Sequence, residues 1–190
     1  NVLKGGSGND TLVGRQGNNS LDGGAGVDTA DYSVVDSSNG VNVDLRLASE
    51  QVQNNGYVGK DTLLSIEKII GTKNSDIIIG KTTNLSTDTM TFELGAGNDT
   101  IWAGSGTNVI YTSRMTESGT DYTSYNNTVF SGTGSDTVIG SSGNDTFIVS
   151  ANDALGGTEN DTFNGVSGLD TIDYSLILDS DSNQATGGIN

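Results

Sequence analysis

The sequence predicts an all-β fold in which short parallel strands wind into a stack of coils. A glycine-rich segment followed by an acid or amide and an apolar residue recurs every nine residues, as in GGSGNDTLV (5–13), GRQGNNSLD (14–22) and GGAGVDTAD (23–31). Proline is absent, which suits stacked strands in which every backbone N–H is needed. Only 32% of the residues are hydrophobic, which is little material for a globular interior.

Each nine-residue unit pairs a glycine-rich turn with a three-residue strand. Glycine takes positive φ freely and allows the tight reversal, and only the middle strand residue faces inward. Two units form one coil of about 18 residues, and stacked coils give two short parallel sheets. The acid or amide is Asp10, Asn19, Asp28, Asp76, Asp99, Asn108, Asn127, Asp136, Asp145, Asp161 or Asp170. The inward residue two places later is Leu12, Leu21, Ala30, Ile78, Ile101, Ile110, Val129, Val138, Phe147, Phe163 or Ile172.

The segments between the repeats have a different pattern. GVNVDLRL (40–47) alternates and predicts a half-buried strand, 48–60 predicts a loop, and DTLLSIEKIIG (61–71) predicts a strand that enters the next repeats. We expect a first repeat block at 1–31, a linking or capping β segment at 32–70, a second block at 71–111, an irregular surface excursion at 112–126, a third block at 127–173 and the start of a further linking segment at 174–190.

The charge of the chain limits its partners. There are 24 acidic and 8 basic residues, a net charge of −16, which argues against binding to nucleic acid or to an anionic membrane. No apolar run approaches the roughly 18 residues of a membrane span. Cysteine and histidine are absent, so thiolate and imidazole metal sites are excluded. Hard cations bound by oxygen are the natural partners, and folding is expected to depend on them because so acidic a chain tends to disorder.

The repeated acids indicate calcium. Stacking places Asp10 and Asp28 on one edge and Asn19 on the other, and two carboxylates about 5 Å apart repel by about 0.8 kcal/mol even in water. A divalent ion between successive turns removes this repulsion. Calcium accepts about 6–8 oxygens, including carbonyls, in forgiving geometry, whereas magnesium demands a stricter octahedron. The glycines would form a cup of carbonyls that the aspartate closes.

The unit GGSGNDTLV resembles the GGxGxDxUx nonapeptide of the RTX, or haemolysin-type calcium-binding, family. The resemblance implies a parallel β-roll, several bound Ca²⁺ ions, and export by a type I system to the outside or the surface of a Gram-negative bacterium. Asn19, Asn108 and Asn127 depart from the pattern as weaker, neutral ligands, and Arg15 and Gln16 replace small turn residues. The predicted metal site residues are Gly6, Gly8, Asp10, Asp28, Asp76, Gly97, Asp99, Gly134, Asp136, Gly143, Asp145, Asp161 and Asp170.

Two functions remain open. The first is a non-catalytic, calcium-dependent segment of a large exported surface protein, such as an adhesin or a surface-layer protein. GLDTIDYS (168–175) echoes GVDTADYS (26–33), which indicates a longer array with neighbouring repeats of the same protein. The second is the carboxy-terminal secretion and folding module of an exported enzyme. Lateral self-assembly through shared cations is a further possible partnership.

The remaining expectations concern the outer face and catalysis. Trp102, Tyr111, Phe130, Ile139 and Ile148 occupy the outward last position of their units, where polar residues are expected. We expect the 32–70 or 112–126 segment to cover them, in preference to a partner protein. No acid stands apart in an apolar setting that would raise its pKa, so no intrinsic active site is predicted.

Overall fold

The strands found in the structure are short and numerous. The structure, a computed structural model, describes residues 1–35, 38–49, 51–54, 59–82, 89–113, 115–116, 119–120, 124–149 and 160–175. The strands are β1 (Val2–Ser7), β2 (Thr11–Leu12), β3 (Ser20–Ala25), β4 (Thr29–Asp31), β5 (Asn42–Asp44), β6 (Val52–Asn54), β7 (Gly59–Leu64), β8 (Lys68–Ile70), β9 (Ile77–Ile79), β10 (Thr89–Glu93), β11 (Thr100–Trp102), β12 (Thr107–Tyr111), β13 (Met115–Thr116), β14 (Gly119–Thr120), β15 (Thr128–Phe130), β16 (Thr137–Ile139), β17 (Thr146–Ile148), β18 (Thr162–Asn164) and β19 (Thr171–Asp173). The described residues include no helix long and apolar enough to cross a membrane.

Two sheets form the body of the fold. The first has the strand order β1-β3-β7-β6-β5-β9-β11-β15-β17-β19, and the second has the order β18-β16-β12-β10-β8-β4-β2. Successive repeat strands alternate between the two sheets, as in β15, β16 and β17, and neighbours within each sheet pair in parallel. The strand β6 is the exception, because it pairs antiparallel with both β5 and β7. The predicted all-β parallel β-roll is confirmed.

The core is one row of inward side chains from each sheet. In the second sheet Leu12 pairs with Ala30 and Ala30 with Ile69, so that like positions stack on each other. Most of the predicted inward residues are buried, and those at 7% exposure or less are Leu12, Leu21, Ala30, Ile78, Ile101, Ile110, Val129, Val138 and Phe147. Ile172 is 45% exposed, because β19 is the last described strand of its sheet. The thin core agrees with the low apolar content.

The linking segment differs from its prediction. The strand β5 ends at Asp44, whose carboxylate accepts hydrogen bonds from the Arg46 backbone N–H at 3.1 Å and from its guanidinium at 2.8 Å. This contact turns the chain, so the predicted alternation through Leu47 is wrong and Leu47 is 43% exposed. The predicted loop 48–60 contains β6, and 61–71 forms two strands because Ser65, with a φ of 50°, turns the chain between β7 and β8.

The outward apolar row stays partly exposed. Trp102 stacks on Phe130 with ring centroids 4.9 Å apart and planes 11° apart, and Trp102 remains 39% exposed. The described strands of the linking segment lie within the sheets, and among the described residues of that segment only Arg46 lines the groove beside this aromatic pair. The expectation that 32–70 covers this face is therefore wrong for the described residues. The described part of 112–126 includes the antiparallel pair β13 and β14, and the rest of that expectation lies outside the described residues.

Candidate metal centre

The turns of the roll line up along two edges. We call the edge that leads into the first sheet the first edge, and the edge that leads into the second sheet the second edge. Strand register places Asn19, Val41, Asp61, Asp76, Asp99, Asn127, Asp145 and Asp170 at equivalent positions of the first edge. The equivalent residues of the second edge are Asp10, Asp28, Glu67, Met90, Asn108, Asp136 and Asp161. The predicted separation of Asp10 and Asp28 from Asn19 is confirmed.

The acids on each edge form a ladder of hydrogen bonds between coils. The Asp10 N–H donates to Asp28 Oδ1 at 2.8 Å, and the Asp76 N–H donates to Asp99 Oδ1 at 2.8 Å. The same contact joins Asn108 to Asp136 at 2.7 Å. Because a carboxylate strengthens such a hydrogen bond, the ladder fixes one oxygen of each accepting acid, such as Asp28 and Asp99, against the neighbouring turn. The ladder hydrogen bond does not involve the second carboxylate oxygen, Oδ2.

Sequence reasoning missed two members of the ladder. Asp61 Oδ1 accepts the Asn19 N–H at 2.8 Å, and Glu67 Oε2 accepts the Asp28 N–H at 2.9 Å. Each is followed two places later by a buried apolar residue, Leu63 or Ile69. An apolar residue two places after an acid is the pattern of the repeat, and it could have identified Asp61 and Glu67 from the sequence. No run of glycines precedes these acids, however. Asp61 is also not a multiple of nine residues from the neighbouring units, whereas Glu67 lies nine residues before Asp76 and could have been found by that spacing.

Several ladder residues have a buried oxygen that no hydrogen-bond donor satisfies. Oδ2 of Asp10, Asp28 and Asp99, and Oδ1 of Asn108, accept no hydrogen bond within the described part of the chain. Asp28 and Asp99 are at most 1% exposed, so water does not reach them freely. An unsatisfied buried acceptor costs about 1–3 kcal/mol, and more when it is charged. These oxygens fit the donor set of a calcium ion.

The glycines of these turns leave space beside the carboxylate. Numbering the unit from its first glycine, positions two and four of the first turn are Gly6 and Gly8, with φ of 109° and 102°. In the other described turns, the glycines with positive φ at these two positions are Gly17, Gly24, Gly26, Gly59, Gly95, Gly97, Gly104, Gly106, Gly132, Gly134 and Gly168. A Cβ on Gly5 would lie 2.5 Å from Asp10 Oδ2. The first turn therefore requires glycine at position one, because the chain curls tightly around the Asp10 carboxylate; other units have Leu94, Ala103 or Ser131 at this position.

Burial also changes the acidity of the first-edge acids. Burial, with the nearby charge of Asp76 as a second cause, raises the pKa of Asp99 to about 9. Burial raises the pKa of Asp76 to about 6, against the hydrogen bonds that Thr72 and Val41 donate to it. The expectation that no acid lies in a setting that raises its pKa is therefore wrong. A cation beside Asp99 would favour its ionised form again.

The other predicted ligands fall into three groups. Asp136 and Asp161 lie next to each other on the second edge, where the Asp136 N–H donates to Asp161 Oδ1 at 2.9 Å. Asp170 is exposed and accepts the Asp145 N–H at 3.0 Å. Both carboxylate oxygens of Asp76 and of Asp145 accept hydrogen bonds from backbone N–H groups. Among the described residues, no three acidic side chains converge on one point, so each ion would also need backbone carbonyls.

The repeat units also match a known protein family. Four copies of the RTX calcium-binding nonapeptide repeat match residues 1–30, 91–114 and 121–153. The chain carries RTX repeats. RTX repeats bind several calcium ions per stretch, are themselves non-catalytic, and occur in proteins exported by type I secretion. The search of curated proteins found no match to this chain.

The RTX match covers only part of the ladder. Asp10, Asp28, Asp99, Asp136 and Asp145 lie within the matched residues. The other predicted aspartate ligands, which lie outside the matched residues, are Asp76, Asp161 and Asp170. The two ladder acids of the linking segment, Asp61 and Glu67, are also outside the match, so the RTX ladder continues through a segment that does not have the repeat sequence.

One hydrogen bond in the linking segment gives a direct test of the ladder. The hydroxyl of Tyr32, which is 1% exposed, donates to Asp61 Oδ2 at 3.3 Å, and burial raises the pKa of this tyrosine. We expect Tyr32→Phe to lower the free energy of unfolding by about 1–3 kcal/mol, because a buried carboxylate oxygen loses its donor. Urea unfolding at fixed calcium measures this. Tyr111→Phe, at a partly exposed outer position, is the control, and an equal loss in both variants would contradict the prediction.

Proposed function

We propose that this chain is a calcium-responsive structural segment of an exported bacterial surface protein of the adhesin or surface-layer type. The observation that carries the proposal is the recurrence of one arrangement in several turns. Positive-φ glycines surround an aspartate such as Asp10, Asp28 or Asp99, and one buried oxygen of that aspartate has no donor within the described residues. Such an arrangement is incomplete until a cation fills it.

The same arrangement explains how the segment would respond to its surroundings. With a net charge of −16 and desolvated carboxylates, the calcium-free chain repels itself and resists compaction. Bound calcium would supply the positive charge and accept the carboxylate and carbonyl oxygens. Each filled site stabilises the folded state by RT ln(1 + [Ca]/Kd), so the fold is favoured where calcium is abundant. The chain therefore stays open in a calcium-poor cytosol and folds after export.

A repeated contact supports a longer array. The Ser33 N–H donates to Asp31 Oδ1 at 2.8 Å, and the Ser175 N–H donates to Asp173 Oδ1 at 2.8 Å. Both pairs lie in the echoed sequences GVDTADYS and GLDTIDYS, so the two sequences share a local structure. A recurring unit of about 140 residues favours a surface protein with many such segments over a single module attached to an enzyme. Further copies beside this segment in the full-length protein would support this choice, and an adjoining catalytic domain would argue against it.

Direct binding tests the calcium proposal. The whole chain, stripped with a chelator, is titrated with calcium in a calorimeter, alone and in tenfold excess magnesium. We expect several calcium sites with Kd values of about 10⁻⁴ to 10⁻³ M, the range of extracellular calcium modules, and little competition from magnesium. No binding of calcium, or equal displacement by magnesium, would overturn the proposal.

A further inference from the structure

Two turns of the first edge are built differently from the glycine turns in the described part of the chain. In the turn 71–76, the Thr72 N–H donates to Asp76 Oδ2 at 2.7 Å, and the Thr72 hydroxyl lies 2.9 Å from Asp76 Oδ1. Asp76 Oδ1 also accepts a hydrogen bond from the Val41 N–H at 2.7 Å. Both carboxylate oxygens are thus satisfied by the protein, although Asp76 is only 1% exposed.

The turn 140–145 repeats this arrangement. The Ser141 N–H donates to Asp145 Oδ2 at 2.7 Å, with the Ser141 hydroxyl 3.2 Å from the same oxygen. Asp145 Oδ1 accepts the backbone N–H of Asn127 at 2.8 Å and its side-chain amide at 3.0 Å. Thr72 and Ser141 both occupy position two of their units, where the RTX pattern has its second glycine.

The hydroxyl also changes the backbone of these turns. Neither Thr72 nor Ser141 has a positive φ, whereas Gly6 and Gly24 at the same position have φ of 109° and 99°. The hydroxyl oxygen of Ser141 accepts the N–H of Gly143 at 3.3 Å, just as that of Thr72 accepts the N–H of Asn74 at 3.0 Å. The left-handed conformation seen at Gly8 and Gly26 is therefore absent at position four of both turns.

Two comparisons show that the hydroxyl, rather than the loss of glycine, accounts for the difference. Arg15 and Val166 also replace the glycine of position two, yet they keep a positive φ of 60° and 73°. Conversely, Gly143 is free to adopt the left-handed conformation and does not. The feature shared by the two different turns is a hydroxyl side chain at position two that faces the aspartate.

We propose that the turns 71–76 and 140–145 are calcium-independent, and that Thr72 and Ser141 take the place of the ion. The inference rests on the proposed calcium binding of the other turns. Two N–H groups donate to the Asp76 carboxylate and three donate to that of Asp145, and a hydroxyl lies beside each carboxylate, so the lone pairs are directed at protein groups instead of a cation. The roll therefore contains two kinds of turn, and it binds fewer ions than its count of repeat aspartates predicts. The ligand roles predicted for Asp76 and Asp145 are replaced by a structural role.

Counting ions in matched variants tests this inference. Native mass spectrometry of the whole chain at saturating calcium gives the number of retained ions. We expect Asp28→Asn and Asp10→Asn each to lose at least one ion, and Asp76→Asn and Asp145→Asn to retain the wild-type number while melting at a lower temperature. Loss of an ion from Asp76→Asn or Asp145→Asn would overturn the inference. A wild-type chain that retains no calcium would instead overturn the proposed function.

A second pair of variants keeps the test decisive if an aspartate variant does not fold. Thr72→Gly and Ser141→Gly restore the second glycine of the repeat and remove the hydroxyl beside the aspartate, while the backbone N–H of each residue is kept. We expect each to gain one retained ion and to lose stability in EDTA relative to the wild type. An unchanged ion count in both glycine variants would contradict the role assigned to the two hydroxyls.

Discussion

Removal of calcium with EGTA is expected to abolish the β circular dichroism spectrum of this chain. In the folded, calcium-free chain the buried oxygens of Asp10, Asp28 and Asp99 have no donor within the described residues. Three such acceptors cost about 3–9 kcal/mol together, which is comparable with the whole stability of an ordinary domain at about 5–15 kcal/mol. The hydroxyl-held turns at Asp76 and Asp145 do not compensate, because they satisfy only their own carboxylates.

The measurement needs two additions to be decisive. The spectrum is recorded in calcium, after EGTA, and after calcium is restored in excess, with magnesium at the same concentration as the control for general charge screening. We expect recovery with calcium and little recovery with magnesium, because magnesium demands a stricter geometry. A β spectrum that persists in EGTA would show that the roll is stable without ions and would refute the coupling of folding to calcium.

Gly24→Ala is expected to destabilise the roll far more than Gly6→Ala. The two glycines pair in neighbouring coils and share nearly the same φ, 99° and 109°. Alanine is strained by about 1–2 kcal/mol at either position because its φ is positive. At Gly24 the new Cβ would also lie 2.2 Å from Gly6 O, whereas a Cβ at Gly6 meets nothing within 4 Å.

The difference between these two variants isolates the contact between coils. We expect Gly6→Ala to lose about 1–2 kcal/mol and Gly24→Ala to lose about 3 kcal/mol or more, because two backbones must separate. Chemical unfolding of the 190-residue chain in saturating calcium measures both. Equal losses would mean that backbone strain alone decides the effect, and that the close stacking of the coils contributes nothing.

The repeat units could be predicted from the sequence because their structure is set locally. A turn of glycines and a three-residue strand need only their nearest coils, so Ile101 and Val129 are buried as the nine-residue period predicts. The linking segment could not be predicted in the same way. The strand β6 exists through antiparallel pairing with β5 and β7, and the end of β5 depends on the contact between Asp44 and Arg46. A repeating sequence period does not predict antiparallel strand pairing or a contact between two particular side chains.

The candidate site was predictable in its acids and not in their partners. The spacing places Asp10 and Asp28 on one edge, as the structure has them. It gives no sign that Thr72 and Ser141 donate to the carboxylates of their own turns, because serine and threonine are common turn residues. Glu67 escaped notice for another reason, since its longer side chain reaches the ladder from a turn without the repeat glycines. Residue type and period identify a candidate ligand, and only the surrounding donors decide whether it is available.

Met90 interrupts the row of acids and amides on the second edge. This buried methionine stands in register with Asn108, at the place where the other coils have an acid or amide. Its thioether is a poor partner for calcium, which prefers hard oxygen ligands. Glu67 on one side and Asn108 on the other are thus separated by a coil that contributes no carboxylate to the edge. We therefore expect the stretches of the edge on the two sides of Met90 to load with calcium independently.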